Sequence, residues 1–241
     1  MNRNSKVLAL KYRPQTFDDL IGQDVVVETI KNSITSGKIP NAFLFTGIRG
    51  IGKTTIARVL AKSLNCSKES KNFCKEGCCD NGIEISESRH IDVLEIDAAS
   101  RTGVDDVREL IEFSRYQPTT TKYKIFICDE VHMFSKSAFA ALLKTLEEPP
   151  SYLKFIFAST DVKKIPVTII SRCQRFDLKR VSLDLLLDHL QNISKKENGK
   201  ITDDALRLIA RASEGSVRDA ISLLDRALIS QNINEKNEIE D

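Results

Sequence analysis

The sequence of 241 residues contains no long apolar run. No window approaches the ~18 continuous apolar residues that a membrane-spanning helix needs. The N-terminal segment MNRNSKVLALKYRP also lacks the apolar core of a signal peptide. These absences predict a cytoplasmic protein with no membrane partner.

The sequence also lacks an excess of charge of either sign. Its 36 Lys and Arg residues against 34 Asp and Glu leave a formal net charge of +2. This balance gives no global field for holding nucleic acid or an anionic membrane, so any such binding must come from local patches or from partner chains. Internal repeats are absent too. With 41% hydrophobic and 29% charged residues, the composition is that of a globular protein with one large or two modest domains.

A phosphate-binding motif follows the first apolar run. Residues 42–45 read as a short strand, and IARVLAKSLN has the core spacing of a helix. Between them, GIRGIGKT satisfies the pattern G-x-x-x-x-G-K-[ST], in which backbone N–H groups cradle phosphate oxygens at a helix N-terminus. Lys53 would reach the β- and γ-phosphates, and the Thr54 hydroxyl would bind Mg²⁺. The predicted nucleotide contacts of this loop are Gly47, Gly50, Ile51, Gly52, Lys53, Thr54 and Thr55.

A pair of carboxylates ends a second apolar run, KYKIFICDEVHMF. The run has the Ile- and Phe-rich character of a strand buried on both faces. Carboxylates at the carboxyl end of a central parallel strand face the phosphate loop, so Asp129 would hold Mg²⁺ and Glu130 would polarise the attacking water. Thr160, at the end of a later apolar run, would lie beside them and could sense the γ-phosphate; the alternative for this threonine is a strand cap.

Strand-like and helix-like segments alternate along the first part of the chain. IDVLEID (91–97) and LKFIFASTD (153–161) read as further strands, separated by helical stretches such as SKSAFAALLKTLEE. This alternation predicts an α/β fold with a doubly wound parallel sheet. Three amphipathic helical segments follow it, SLDLLLDHLQNI, DDALRLIARA and SVRDAISLLDRALI, which predict a small helical domain.

These segments together resemble a known family. GIRGIGKT, CDEVHMFSKSAFAALLKTLEEPP, FASTD, ISRC at 170–173 and EGSVRDA at 214–220 are similar to the gamma/tau subunits of the bacterial DNA polymerase III clamp loader. Those subunits are AAA+ ATPases and components of the DNA polymerase III holoenzyme. The resemblance covers nearly the whole chain, and it implies ATP or ADP with Mg²⁺ as ligands. It implies no polymerase chemistry for the chain itself.

The resemblance also implies roles for residues outside the phosphate loop. Tyr12, Arg13 and Pro14 match the N-terminal segment that wraps the adenine base. Thr160 matches sensor 1. Arg172 of SRC matches the arginine finger, which acts in trans on the ATP site of a neighbouring subunit, and Arg218 matches sensor 2 on the helical lid. A single chain is therefore expected to bind ATP but to hydrolyse it slowly.

The family also sets expectations for domains and partners. We expect an ATPase domain at 1–179 that contains a cysteine insertion at 66–82, a helical lid at 180–229, and a polar tail at 230–241. Family members continue into a collar domain, so we expect a two-domain piece that is monomeric in isolation. The implied partners are further gamma/tau copies, the delta and delta-prime subunits, the sliding clamp and primer-template DNA. ATP binding would open the clamp, and hydrolysis would release it on DNA.

Four of the six cysteines lie close together in the sequence, at Cys66, Cys74, Cys78 and Cys79. In a reducing compartment such a cluster predicts a metal site rather than disulfides. The family carries a four-cysteine zinc module here, with the last three cysteines spaced C-x2-C-x2-C, but Gly82 occupies the place of the last one. We expect these four thiols to form a structural zinc site. A set of free thiols or a three-ligand remnant is the alternative.

Two other functions are compatible with the motifs. One is a different AAA+ DNA-processing motor, such as a branch-migration helicase, which would unwind nucleic acid without a clamp. The other is a nucleotide-binding scaffold subunit that does not hydrolyse ATP. The presence of Lys53, Asp129 and Glu130 favours hydrolysis over the scaffold.

Overall fold

A five-stranded parallel sheet forms the centre of the protein. The structure is a computed structural model that describes residues 7–67, 74, 79–100 and 103–237, with side chains described as far as residue 230. The strand order is β2-β3-β4-β1-β5, and each neighbouring pair is parallel. The predicted doubly wound parallel sheet is therefore confirmed. The strands are β1 (Ala42–Thr46), β2 (Val93–Asp97), β3 (Lys124–Asp129), β4 (Leu153–Ser159) and β5 (Gln174–Asp177).

Ten helices surround or follow the sheet within the described ranges. They are α1 (Leu8–Lys11), α2 (Asp24–Thr35), α3 (Lys53–Leu64), α4 (Asp80–Ser86), α5 (Val104–Ser114), α6 (Lys136–Glu147), α7 (Val167–Ile170), α8 (Leu183–Lys196), α9 (Asp203–Ala212) and α10 (Val217–Asn237). The side chains of Ser135, Ser182 and Thr202 cap the N-termini of α6, α8 and α9 by accepting a backbone N–H from the first turn. Among the described helices, none has both the length and the apolar character needed to cross a bilayer.

The three central strands are apolar because both of their faces are covered. Every residue of β1 and β4 is buried. Side chains alternate along β1, so Phe43 and Phe45 pack with Ile56 of α3 on one face. Leu44 packs with Leu142 of α6 on the other face. This two-sided burial accounts for continuous apolar runs where a half-exposed sheet would show alternation.

The edge strand β5 is the one strand that the sequence analysis does not predict. Only Phe176 of its four residues is buried, so the segment carries no apolar run. Phe176 pairs with Phe45 in the β1–β5 register, and their ring centres lie 5.5 Å apart. The Phe176 ring centre also lies 6.3 Å from that of Phe43, so aromatic contacts and backbone pairing hold this strand against β1.

The three C-terminal helices form a second core. Leu186 and Leu190 of α8, Leu206 of α9 and Leu224 of α10 are buried against one another. We call α8–α10 the helical unit. Helix α10 continues beyond Ile229 to Asn237, so the predicted polar tail begins as helix.

A buried aspartate anchors the loop that precedes β3. Asp92 is 1% exposed and accepts the backbone N–H groups of Thr119 and Thr120 at 2.8 Å, together with the hydroxyls of Thr120 and Thr121. Burial alone would raise the pKa of Asp92, but these hydrogen bonds outweigh it and lower the pKa below its ordinary value. The ionised carboxylate thus fixes the loop in place.

Candidate functional site

A cavity of about 1070 Å³ opens at the carboxyl ends of β1, β3 and β4. Ligands of open parallel α/β sheets bind at this edge. Most of the predicted site residues line it: Tyr12, Arg13, Pro14, Gly50, Ile51, Gly52, Lys53, Thr54, Thr55, Asp129, Glu130, Thr160 and Arg218. The fold thus brings together residues that are more than 200 positions apart in the sequence.

The loop between β1 and α3 adopts the conformation that its glycines allow. Gly47, Gly50 and Gly52 all have positive φ angles, of 144°, 79° and 105°. Gly47 does not line the cavity; a Cβ there would meet Ile51 Cδ1 at 2.4 Å, so this glycine allows the loop to fold back on itself. Gly52 directly precedes α3 and has open space around it, where a ligand can approach the helix N-terminus.

Lys53 is held inside this loop. Its Nζ donates to the carbonyl oxygens of Gly47 at 3.1 Å and Ile48 at 3.0 Å, and the residue is 5% exposed. Burial lowers the pKa of Lys53, while the carboxylates of Glu130 and Asp129 act in the opposite direction. The ammonium group is therefore preorganised where an anion would bind.

Two oxygen ligands of the kind that Mg²⁺ prefers lie beside the lysine. The Thr54 hydroxyl donates to Asp129 Oδ2 at 2.5 Å, and Asp129 Oδ1 accepts the backbone N–H of Glu130 at 2.9 Å. A hydroxyl and a carboxylate leave room for waters and phosphate oxygens in an octahedral shell. The residues present thus fit a Mg²⁺ ion bound together with a nucleotide.

Glu130 contacts Thr160, which the sequence analysis places beside the carboxylates, and also His132, which the sequence analysis does not mention. Its Oε2 accepts from both the backbone N–H and the hydroxyl of Thr160, at 3.1 and 2.8 Å. His132 Nδ1 lies 3.3 Å from the same oxygen and 3.1 Å from the Ser159 hydroxyl. Glu130 also has a φ of +47°, which is uncommon for a residue with a Cβ. In the sequence, the contact between His132 and Glu130 could have been expected from their separation of two residues on the turn that follows β3.

The helical unit touches the phosphate loop directly. The backbone N–H of Arg218, in the first turn of α10, donates to the Gly50 carbonyl at 3.1 Å. A Cβ on Gly50 would lie 2.1 Å from Ser216 Oγ and 3.3 Å from Arg218 Cβ. Gly50 therefore makes room for α10 as well as shaping the loop.

Arg172 lies away from its own cavity. Its guanidinium pairs with Glu147 at 2.6 Å and donates to the Thr168 carbonyl at 2.7 Å. It is not among the described residues that line the cavity. The trans role of Arg172 stays a prediction.

Three of the four clustered cysteines converge in space. Cys79 Sγ lies 3.8 Å from Cys66 Sγ and 3.6 Å from Cys74 Sγ. A tetrahedral zinc with Zn–S bonds of ~2.3 Å places its sulfurs about 3.8 Å apart, which these two separations match. The three sulfurs all lie within 4.8 Å of one another. Cys78 lies outside the described residues. A Cβ at Gly82 would be 2.9 Å from Cys74 Sγ, so the sulfur of Cys74 fills the space where a side chain at position 82 would begin.

Burial alone would raise the pKa of the Cys79 thiol. Hydrogen bonds from the backbone N–H groups of Ser67 and Gly82 and from the neighbouring Cys74 and Cys66 thiols outweigh this effect. They bring the pKa of Cys79 to about 7. The cluster therefore favours a thiolate, the form that binds metal.

The sequence matches family models and known proteins of DNA polymerase III. A family model described as DNA polymerase III, delta subunit, matches residues 22–182, and one described as DNA polymerase III clamp loader subunit, ATPase lid domain, matches residues 186–232. The chain is 49% identical over 226 residues to DNA polymerase III subunit tau of Escherichia coli, covering 93% of this chain and 35% of that protein. It is 50% identical over 226 residues to subunit gamma of Buchnera aphidicola subsp. Baizongia pistaciae, covering 93% and 60%. The chain thus spans between about a third and 60% of the length of these relatives.

Solved structures are similar in fold at much lower identity. Thermotoga maritima RuvB, a Holliday junction branch migration motor, superposes with a TM-score of 0.68 at 18% identity, over 93% of this chain and 67% of that one. Together with the strand order and the phosphate loop, this likeness defines the fold class as AAA+. Within that class, the chain belongs to the family of DNA polymerase III clamp-loader subunits, and the relatives it matches are gamma and tau.

Proposed function

We propose that the chain is an ATP-binding and ATP-hydrolysing motor subunit of the bacterial replicative clamp loader. The observation that carries this proposal is the contact chain from Thr54 through Asp129 and Glu130 to Thr160, beside buried Lys53. In a nucleotide cavity these groups supply a phosphate-binding cation, oxygen ligands for a metal, and a carboxylate base. The Escherichia coli and Buchnera relatives are named as polymerase III subunits, which supports a replication role.

Each of these side chains has a separate task in the proposed reaction. Lys53 would leave the loop carbonyls to bind the β- and γ-phosphates, and Thr54 and Asp129 would hold Mg²⁺, which neutralises phosphate charge. Glu130 would accept the proton of a water in line with the γ-phosphate. The Thr160 hydroxyl has one proton to donate. If it donates to the γ-phosphate, it no longer donates to Glu130, which then turns toward the water.

The arginine of the hydrolysis site would come from a neighbouring copy. Arg172 is paired with Glu147 on the surface, away from its own cavity, and an arginine on the surface can reach an adjacent subunit. The expected partners are further gamma/tau copies, the delta and delta-prime subunits, the clamp and primer-template DNA. Binding of ATP would open the clamp, and hydrolysis would complete its loading on DNA in the cytoplasm.

The cysteine cluster would hold a structural zinc ion. Cys66, Cys74 and Cys79 would supply three corners of a tetrahedral site, which the separations of Cys79 Sγ from the other two sulfurs support, and Cys78 is the predicted fourth ligand. The ion would join the end of α3 to α4, because Cys66 follows α3 and Cys79 directly precedes α4. This zinc would stabilise the fold and take no part in ATP hydrolysis.

The branch-migration alternative rests on no specific observation. The likeness to RuvB is one of fold at 18% identity. The scaffold alternative is disfavoured because Asp129 and Glu130 are both in place beside Lys53.

The test compares the isolated chain with the assembled clamp loader. The isolated chain should bind ATP but hydrolyse it slowly, and assembly with the clamp and primer-template DNA should raise turnover. Arg172→Ala should leave ATP binding by the isolated chain intact and reduce turnover of the assembly by roughly 10³-fold or more. The matched control is Arg89→Ala, which removes another exposed arginine paired with acidic side chains. Loss of ATP binding by isolated Arg172→Ala would contradict the trans role, and full turnover by its assembly would contradict any role for it in hydrolysis.

A further inference from the structure

The N-terminal segment 7–14, which we call the strap, packs against the helical unit. Leu8 is buried in the same cluster as Leu186 and Leu224. Its backbone N–H also donates to Asp225 Oδ2 of α10 at 3.2 Å. The start of the strap is therefore fixed to the helical unit, although α8 begins only at Leu183 in the sequence.

A second attachment lies at Glu197, the C-cap residue that directly follows α8. One carboxylate oxygen, Oε1, accepts both the Tyr12 hydroxyl and the Lys11 ammonium group, the latter at 2.5 Å. The Lys196 ammonium lies 5.9 Å from the centre of the Tyr12 ring. Hydrogen bonds from Lys11 and Tyr12 lower the pKa of Glu197, while burial and the bond to Glu197 raise the pKa of Tyr12 to about 12. At neutral pH the acceptor is therefore ionised and the phenol keeps its proton.

The next residue of the strap turns toward the sheet instead. Arg13 Nε donates to Thr55 Oγ1 of α3 at 3.3 Å. Tyr12 and Arg13 both line the cavity. Two consecutive strap residues thus attach to different parts of the structure. Tyr12 binds the helical unit, and Arg13 binds α3, the helix that follows the phosphate loop.

Glu197 itself is not among the described residues that line the cavity. We propose that Glu197 is a positioning residue of the nucleotide site, which holds the Tyr12 hydroxyl so that the strap forms the cavity wall only while it is attached to α8. This inference rests on the proposed function, because it requires that the cavity bind a nucleotide. It makes nucleotide affinity depend on a carboxylate that touches no ligand. It also couples the orientation of the helical unit to occupancy of the cavity, since a ligand against Tyr12 is linked through Glu197 to α8.

Among the described residues, Arg13 is the strap residue that donates a hydrogen bond to the helix following the phosphate loop. The side chains of Val7, Ala9 and Leu10 that the strap contributes to the wall are apolar, and they suit a base rather than a phosphate. Loss of the attachment at Glu197 should therefore weaken ATP and ADP to the same extent. A change that discriminated between the two nucleotides would indicate an effect on the γ-phosphate instead.

The test is a double-mutant cycle read out by nucleotide affinity. Tyr12→Phe and Glu197→Ala should each weaken ATP and ADP binding by roughly 3- to 10-fold. The double variant should be no weaker than Glu197→Ala alone, because Tyr12→Phe removes a bond that Glu197→Ala already removes together with the Lys11 ion pair. Glu197→Gln should retain part of the affinity, since its amide oxygen still accepts from Tyr12. Circular dichroism of each variant checks that it folds. If Glu197→Ala does not fold, the variants Tyr12→Phe and Glu197→Gln complete the test.

The matched control is Tyr152→Phe. It removes a tyrosine hydroxyl that donates to the Ser114 and Arg115 carbonyls, remote from the cavity, and should leave affinity unchanged. If the wild type binds nucleotide and the Tyr12 and Glu197 variants bind it equally tightly, the positioning role is wrong and the proposed function stands. Losses of affinity that add independently in the double variant would also overturn the positioning role of Glu197. If neither the wild type nor the Tyr152→Phe control binds nucleotide, the proposed function fails and this inference fails with it.

Discussion

Gly50 is the position where a single methyl group should separate the helical unit from the phosphate loop. Its φ of +79° lies in the left-handed region, and a Cβ would be 2.1 Å from Ser216 Oγ. Gly37 has a similar φ of +70° but nothing within 4 Å of its Cβ position. The variants Gly50→Ala and Gly37→Ala therefore share the backbone strain and differ in the collision.

The expected magnitudes follow from these two terms. The left-handed conformation costs a residue with a Cβ about 1 to 2 kcal/mol, which is the whole expected loss for Gly37→Ala. Overpacking costs typically about 1 to 3 kcal/mol, so Gly50→Ala should lose about 2 to 5 kcal/mol in total. If α10 moves away to relieve the collision, the bond from Arg218 N–H to the Gly50 carbonyl is lost instead, and ATP affinity should fall about tenfold or more because Arg218 leaves the cavity wall.

The assay is urea unfolding together with ATP binding for both variants. Ser216→Ala removes the nearest atom, so Gly50→Ala combined with Ser216→Ala should recover most of the loss, measured against Ser216→Ala alone. Ser216→Ala alone is the reference because that change also removes the hydrogen bond from the Asp219 backbone N–H to Ser216 Oγ, 3.3 Å long. If Gly50→Ala matches Gly37→Ala in both stability and ATP affinity, then the contact between α10 and the loop does not contribute as described.

Two further predictions concern residues outside the cavity. Asp92→Asn should lower the free energy of unfolding at pH 7 by about 2 to 4 kcal/mol in urea titrations, since it removes charge-assisted hydrogen bonds. Because the pKa of Asp92 is depressed in the folded state, its contribution is present above its unfolded pKa of roughly 3.9 and is lost as the pH falls through the folded value, where mutant and wild type should converge. A constant difference down to about pH 2 would contradict this assignment. Elemental analysis should find one zinc per chain. Removal of the zinc by a chelator, or the substitution Cys74→Ser, should lower thermal stability and leave ATP affinity unchanged. A metal-free protein of undiminished stability would show that the fold does not need the metal.

The sequence predicts the parts of this structure that are continuous in the chain. The β1 and β4 runs are apolar because both faces of those strands are buried, and the phosphate loop carries its glycines and Lys53 within eight residues. These features appear as local patterns, so composition and spacing are sufficient to find them.

Contacts between distant segments give no such pattern. Asp92 and its threonine partners are about 28 residues apart, and Tyr12 and Glu197 are 185 apart. A lone Asp or Glu in a polar segment looks like a solvated side chain, and only the packing of β2 or α8 reveals its partner. The edge strand β5 is not predicted from the sequence either. Three of its four side chains lie outside the core, so the strand carries no apolar run.

The proposed role of Glu130 as the base of hydrolysis is tested most directly by ATP turnover in an assembled clamp loader that carries Glu130→Gln, with clamp and primer-template DNA present. Glutamine keeps the shape and still accepts from Thr160, but it cannot take a proton from water. We expect that ATP still binds and that turnover falls by about 10²- to 10⁴-fold. Turnover equal to that of the wild type would contradict the assignment of Glu130 as the base.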